Sequence, residues 1–272
     1  MELASLSLAF AVLPWPEGEK AALWARVQAG ERLLIPELDT LAQDLSRWRE
    51  EAQGRGARLV LAGDPGAEDF MAALPYPVAL WVRGTLPPEG PRLALVGSRT
   101  PTFLGRTRAR TWAKALTEKG VAVISGLARG IDGAAHEGAL EAGPTWGVMG
   151  SGLDHPYPRE HRGLMDRMVA AGGGVITPFP PEATPQKWHF PRRNVLLAAW
   201  TDGVVVLEAK LRSGSLVTAR LALDMGKELW VVQGAPEEPL AEGPNKLLRE
   251  GCCRAALGPE DLLEDLGLAR GA

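Results

Sequence analysis

The chain has 272 residues, 46% of them apolar, enough for one large domain or for one domain with a smaller companion. No apolar run reaches the roughly 18 residues that span a bilayer, the start Met1-Glu2-Leu3 is not that of a signal peptide, and the only cysteines, Cys252 and Cys253, are adjacent and make neither a staple nor a zinc site, so a reducing cytoplasm is expected. The net charge of −3 excludes a uniformly basic nucleic-acid binder, but it is unevenly spread: residues 1–90 hold 8 Lys/Arg against 13 Asp/Glu, residues 91–235 hold 18 against 12, and residues 236–272 hold 4 against 8.

Residues 1–52 read as helices. Leu6, Phe10 and Leu13 precede a Pro-Trp-Pro turn, and Leu23, Trp24 and Val27, then Leu38, Leu41 and Leu45, recur at helical spacing. Leu59–Leu61 and Val78–Val82 read as short strands. Prolines at 75 and 77 precede the second strand, those at 87, 88 and 91 follow it, and they place a boundary near residue 88. Apolar strands are then predicted at 92–97, 121–125, 145–149, 174–177, 203–207 and 229–233, with helices near 102–119, 131–142, 159–170, 191–200 and 214–225 between them. A last short helix, near 258–267, is opened by Gly258-Pro259. Strands that are apolar throughout and alternate with helices predict an α/β fold: a parallel sheet with right-handed crossovers and helices on both faces.

In such a sheet ligands bind at the carboxyl ends of the strands. Those ends carry small and charged residues here. The first predicted strand runs into Gly97-Ser98-Arg99, the second into Ser125-Gly126 and on to Arg129-Gly130, and the fifth into Glu208 through Ser213-Gly214-Ser215. Glycine lets a backbone approach a ligand, and helix N-termini offer N–H groups to an anion, so the first two turns read as phosphate acceptors with Arg99 and Arg129 as countercharges. A dinucleotide is disfavoured, because neither G-x-G-x-x-G nor the acidic residue after the second strand is present, and no P-loop occurs. A second cluster, Lys187-Trp188-His189-Phe190-Pro191-Arg192-Arg193-Asn194, interleaves cations with aromatics, as a site for unpaired nucleic acid does. The four histidines lack metal-binding spacing. His136 is expected on a packed helix face, Asp132 as a cap of its own helix, and Glu208 as a partner of nearby backbone amides. No catalytic residue, metal or cofactor is assigned.

The segments LALVGSR, VISGLARGIDGAAHEGAL, GSGLDHPYPRE, HFPRRN, VVVLEAKLRSGSLVTA and GPNKLLREG occur in an order that resembles the DNA-processing protein A (DprA/Smf) family over about residues 57–255. The resemblance implies an extended Rossmann-like domain over 57–256, with opening strands and linker at 57–88 and a core at 89–256. It also implies a small N-terminal helical (SAM-like) domain over 1–56 and a short tail at 257–272 without the winged helix that many members carry. It implies a single-stranded DNA-binding mediator of natural transformation, not an enzyme, which protects incoming strands, helps load RecA and forms homodimers. Ser98, Arg99, Gly126, Arg129, Gly130, Lys187, Phe190, Arg193, Asn194, Ser213, Gly214 and Ser215 match the family's DNA-binding positions. Departures are Val195 where an arginine is usual, Thr177-Pro178 for Ser-Glu, Gln233-Gly234 for Pro-Gly, and no clear helix-hairpin-helix turn near the N-terminus. The rival implied by fold analogy is a nucleotide-cleaving phosphoribohydrolase of the lysine-decarboxylase-like type. Its glycine-rich motif is not matched at Ser213–Ala219.

Overall fold

The structure is a computed structural model that describes residues 3–13, 15–31, 40–41 and 43–268. The helical expectation at Leu38 lies outside the described residues. In chain order the elements are α1 (Leu3–Val12), α2 (Glu17–Gln28), α3 (Leu45–Gly54), β1 (Arg58–Val60), α4 (Glu68–Ala72), β2 (Leu80–Gly84), β3 (Arg92–Val96), α5 (Phe103–Glu118), β4 (Ala122–Ser125), α6 (Ile131–Ala139), β5 (Trp146–Val148), α7 (Arg162–Ala170), β6 (Gly174–Thr177), α8 (His189–Ala199), β7 (Gly203–Val206), α9 (Gly214–Asp224), β8 (Glu228–Val231), α10 (Glu242–Arg249), β9 (Arg254–Ala255) and α11 (Pro259–Asp265). The nine strands form one sheet of order β1-β2-β6-β5-β4-β3-β7-β8-β9.

Seven of these strands, β3 to β9, are parallel. The two opening strands extend the β6 edge through antiparallel pairings, β2 with β6 and β1 with β2, with Trp81 opposite Thr177 and Gly84 opposite Gly174. The sheet therefore continues across the boundary that the prolines place near residue 88. Alternation within each strand decides which helices it meets. In β3, Leu93 and Leu95 pack with α5, α6 and α11, whereas Ala94 and Val96 pack with α8, α9 and α10. In β7, Val205 and Val204 divide in the same way. Both faces are buried, which is why these strands read as continuous apolar runs. α1 belongs to the same core: Leu6 and Phe10 are 0% exposed and pack with Leu80 and Val82 of β2 and Leu196 of α8. Among the described residues no helix is long and apolar enough to cross a membrane.

Candidate nucleic-acid interface

β3 and β7 are parallel neighbours, but the chain winds away from them in opposite directions. Their carboxyl ends diverge into different connections, and a crevice opens where the winding reverses. It forms a cleft of about 350 Å³. One wall is the turn after β3 with Ser98 and Arg99, a second is the loop into α9 with Lys210 and Arg212 through Ser215, and a third is α8 with Phe190, Arg193 and Asn194. Eight of the sequence-named residues thus share one cavity. Gly126 and Arg129 line an adjoining hollow together with Arg99, Phe190 and Arg193. Gly130 and Lys187 line neither cavity. Gly130 holds φ +79 against the Ser98 carbonyl, where a Cβ would collide, and Lys187 is exposed ahead of α8.

The first two turns differ from the sequence expectation in one respect: the protein's own groups already occupy several of their amides. The Ser98 N–H donates to the Glu208 carbonyl at 2.6 Å, and the Thr100 N–H donates to Ser98 Oγ. The Glu208 carboxylate accepts the Thr102 N–H at 2.9 Å and the Thr102 hydroxyl at 2.5 Å, at the start of α5. Gly105 permits this approach, since a Cβ there would collide with the carboxylate. In the second turn Asp132 does not cap α6. Its Oδ2 accepts the N–H groups of Gly126 (3.1 Å) and Ala128 (3.3 Å) in the preceding turn. In each turn a carboxylate of the protein already takes amides that a phosphate was expected to meet, and the exposed cations of the cleft and the start of α9 add further groups for an anion.

Arg193 lies on the other side of Gly126. It is 4% exposed. Its Nη1 donates to the carbonyls of Gly126 and Val148, and its Nε donates to Asn194 Oδ1 at 3.0 Å. Burial pulls its pKa down to about 10, opposed by Asp132. Burial pushes the Asp132 carboxyl above its ordinary range, opposed by Arg193 and the two amides. Gly126 is thus clamped between opposite charges, and a Cβ there would meet both. Asn194 Nδ2 in turn donates to the Gly214 carbonyl at 3.3 Å, which ties α8 to the start of α9.

The cations divide into two groups. Arg129 is exposed and paired with Glu160. Among the described residues, Arg99, Lys210 and Arg212 have no carboxylate partner. Arg99 lies 5.4 Å from the centroid of the half-buried Phe190 ring, a cation–π arrangement. Ser213 caps α9 by accepting the Leu216 N–H, and its hydroxyl lies 3.4 Å from that of Ser215. Sequence reasoning assigned no role to Lys210 and Arg212. Their signal was the placement of two cations immediately before a Ser-Gly-Ser helix start. Among the described residues no three His, Cys, Asp or Glu side chains gather as a metal site requires.

The model of the family described as DNA recombination-mediator protein A matches residues 68–267. Protein Smf of Escherichia coli is 41% identical over 199 residues, covering 72% of this chain and 53% of its own length. DNA processing protein DprA of Bacillus subtilis is 41% identical over 193 residues, covering 70% and 64%. The chain therefore spans between about half and two thirds of the length of these curated relatives. The X-ray structure of DprA from Streptococcus pneumoniae superposes with a TM-score of 0.73 at 28% identity, over 90% of this chain and 92% of that one. The structure describing the single-stranded DNA binding mode of DNA processing protein A from Helicobacter pylori gives a TM-score of 0.66 at 29% identity, over 72% and 91%. Matched by the family model across most of its length and by two relatives at 41% identity, the chain belongs to the DNA recombination-mediator protein A family.

Proposed function

We propose that this protein binds single-stranded DNA in the cleft between β3 and β7, protects incoming strands in natural transformation and helps load RecA onto them, acting in the cytoplasm as a homodimer. One observation carries the DNA reading. Three cations without carboxylate partners among the described residues, Arg99, Lys210 and Arg212, face one cleft beside the start of α9 and an aromatic ring. Phosphates meet these cations and the Ser213–Ser215 hydroxyls, while Phe190 and the Arg99 plane offer a surface to an unpaired base. Lys187 and Arg129 are outlying cations of the same path, the second released when Glu160 yields to a phosphate. Gly126, Gly130, Arg193 and Asn194 shape the cleft. Ser98 borders it, with its hydroxyl turned to its own turn. The division into 1–56, 57–256 and 257–272 belongs to this proposal, with the cleft in the middle unit.

Family membership supports the DNA-processing role, and the Helicobacter pylori relative, described for its single-stranded DNA binding mode, supports the choice of ligand. The nucleotide-cleaving alternative needs a carboxylate free to act. Asp132 lines the cleft but is buried and holds two amides, and Glu208 is held on Thr102. Release of free base from AMP by the purified protein would favour that alternative.

The test is a titration of labelled oligothymidine, and of the same length of duplex, at two salt concentrations. Single strands should bind more tightly than duplex, with affinity falling as salt rises at a log–log slope of about −0.7 per neutralised phosphate. Arg99→Ala should weaken binding to all sequences alike and reduce the slope by about 0.7, and Lys210→Ala/Arg212→Ala by about 1.4. Wild-type affinity in both variants would overturn the site. Stimulation of RecA filament assembly on the bound strand tests the loading role.

A further inference from the structure

We propose that the loop between β5 and α7 forms a second nucleotide subsite, which takes the phosphates and a base of the same single strand as it leaves the β3–β7 cleft. This inference rests on the DNA reading of that cleft and extends it to a part of the molecule with no role so far. The loop encloses a hollow of about 490 Å³ lined by His155, Tyr157, Arg159, Arg162 and Thr184, among others. The hollow is not isolated. Tyr157 also lines the narrower hollow next to the cleft, which in turn shares Arg99, Phe190 and Arg193 with the cleft itself. The Tyr157 ring centroid lies 5.7 Å from that of Phe190, tilted by 58°. Arg99, Phe190 and Tyr157 thus form a row of planar groups that leads from the cleft to the loop.

Charge marks the end of this row. Arg159 and Arg162 are exposed and have no carboxylate partner among the described residues. The nearby carboxylates are engaged elsewhere, Asp154 with Arg55 and Glu160 with Arg129. No hydrogen bond among the described residues gives either side chain a structural duty. Two uncommitted guanidinium groups beside an aromatic ring, reached from a cleft of the same character, fit a sugar–phosphate chain with unpaired bases. A free mononucleotide would need only one of the two cavities.

The experiment measures affinity against length for oligothymidines of about 4 to about 20 nucleotides, at two salt concentrations, for wild type, Arg159→Ala/Arg162→Ala and Arg159→Lys/Arg162→Lys. The shortest oligomers should bind wild type and the alanine variant equally. Beyond the length that reaches the loop, wild type should gain about tenfold and a slope steeper by about 1.4, from two phosphates at about 0.7 each. The alanine variant should gain neither, and the lysine variant should keep most of both. An alanine variant that keeps the full gain with length overturns the subsite while leaving the cleft intact. If wild type binds no oligomer of any length, the cleft reading fails and the subsite with it.

Discussion

Arg193 directs its guanidinium inward, to Gly126, Val148 and Asn194, while Arg99 stands exposed over Phe190 in the same cleft. From the sequence the two arginines look alike, and burial separates them. Arg193→Ala removes these bonds and leaves the buried Asp132 without its opposing charge, so it should cost about 3–5 kcal/mol of stability. Arg99→Ala should lose DNA binding with stability unchanged within about 0.5 kcal/mol. Denaturant titration of the two variants beside a binding assay separates the roles, and equal stability of both would contradict the assignment. His136 gives a second residue-level test. It is fully buried, and its Nδ1 lies 2.8 Å from Thr145 Oγ1. That hydroxyl donates to the Val123 carbonyl, so the ring is assigned as the Nδ1–H tautomer, and Nε2 is left buried without a partner among the described residues. Burial, with His161 and Arg193 nearby, lowers its pKa to about 3. Between an unfolded value of about 6.5 and about 3, the unfolded chain takes up a proton that the folded chain refuses. Stability from this group is therefore complete above about pH 6.5 and falls by about 1.4 kcal/mol per unit as pH drops towards 3. Urea midpoints at about pH 7 and about pH 5 should separate more for wild type than for His136→Gln, and equal separations would remove His136 from the account.

At the scale of elements, α8 is the hub through which the site is held. Three successive residues point to three different parts: Arg192 Nη2 donates to the Phe10 carbonyl of α1, Arg193 holds the second turn and the end of β5, and Asn194 holds Gly214 at the start of α9. Asn194→Ala should therefore loosen the start of α9 and weaken DNA binding severalfold while costing about 1 kcal/mol of stability. Amide exchange at Gly214–Leu216 in the free protein is the check, and unchanged protection there would show that Asn194 does not hold this start. The sequence makes the six core strands and the helices between them legible, because burial on both faces leaves apolar runs of the right length. It also makes the cleft's rim legible, because Ser98, Arg99 and Ser213–Ser215 sit at strand ends. What stays hidden depends on long-range pairing. Glu208 reaches Thr102 across 106 positions and fills the α5 start, and no local pattern announces that partner. The direction of Arg193 depends likewise on the distant Gly126 and Val148. The short elements α4 and β9 escape because so few residues carry too little periodicity. Glu242–Arg249 shows itself in sequence only as part of GPNKLLREG.

At the scale of the whole molecule, the question is whether the N-terminal helices fold with the sheet or beside it. Their composition sets them apart, with the acidic excess of residues 1–90 against the basic excess of residues 91–235. Their packing joins them to it. Phe10 of α1 is 0% exposed, meets Tyr76 edge-on at a ring separation of 5.3 Å and Trp15 at 6.0 Å, and shares a core with β2 and α8. The backbone carbonyl of the same residue accepts from Arg192, whose buried side chain also lies 3.6 Å from Glu17 of α2. α1 therefore rests on the helix that holds the cleft. Phe10→Ala should cost about 3–5 kcal/mol, and calorimetry should show one transition moved to lower temperature rather than a separate early melting of the helical segment. Because Arg193 and Asn194 lie on α8, DNA binding should persist up to that transition and vanish with it. Two transitions, with binding retained after the first, would mean that the N-terminal segment folds as a separate unit and that the cleft stands without it.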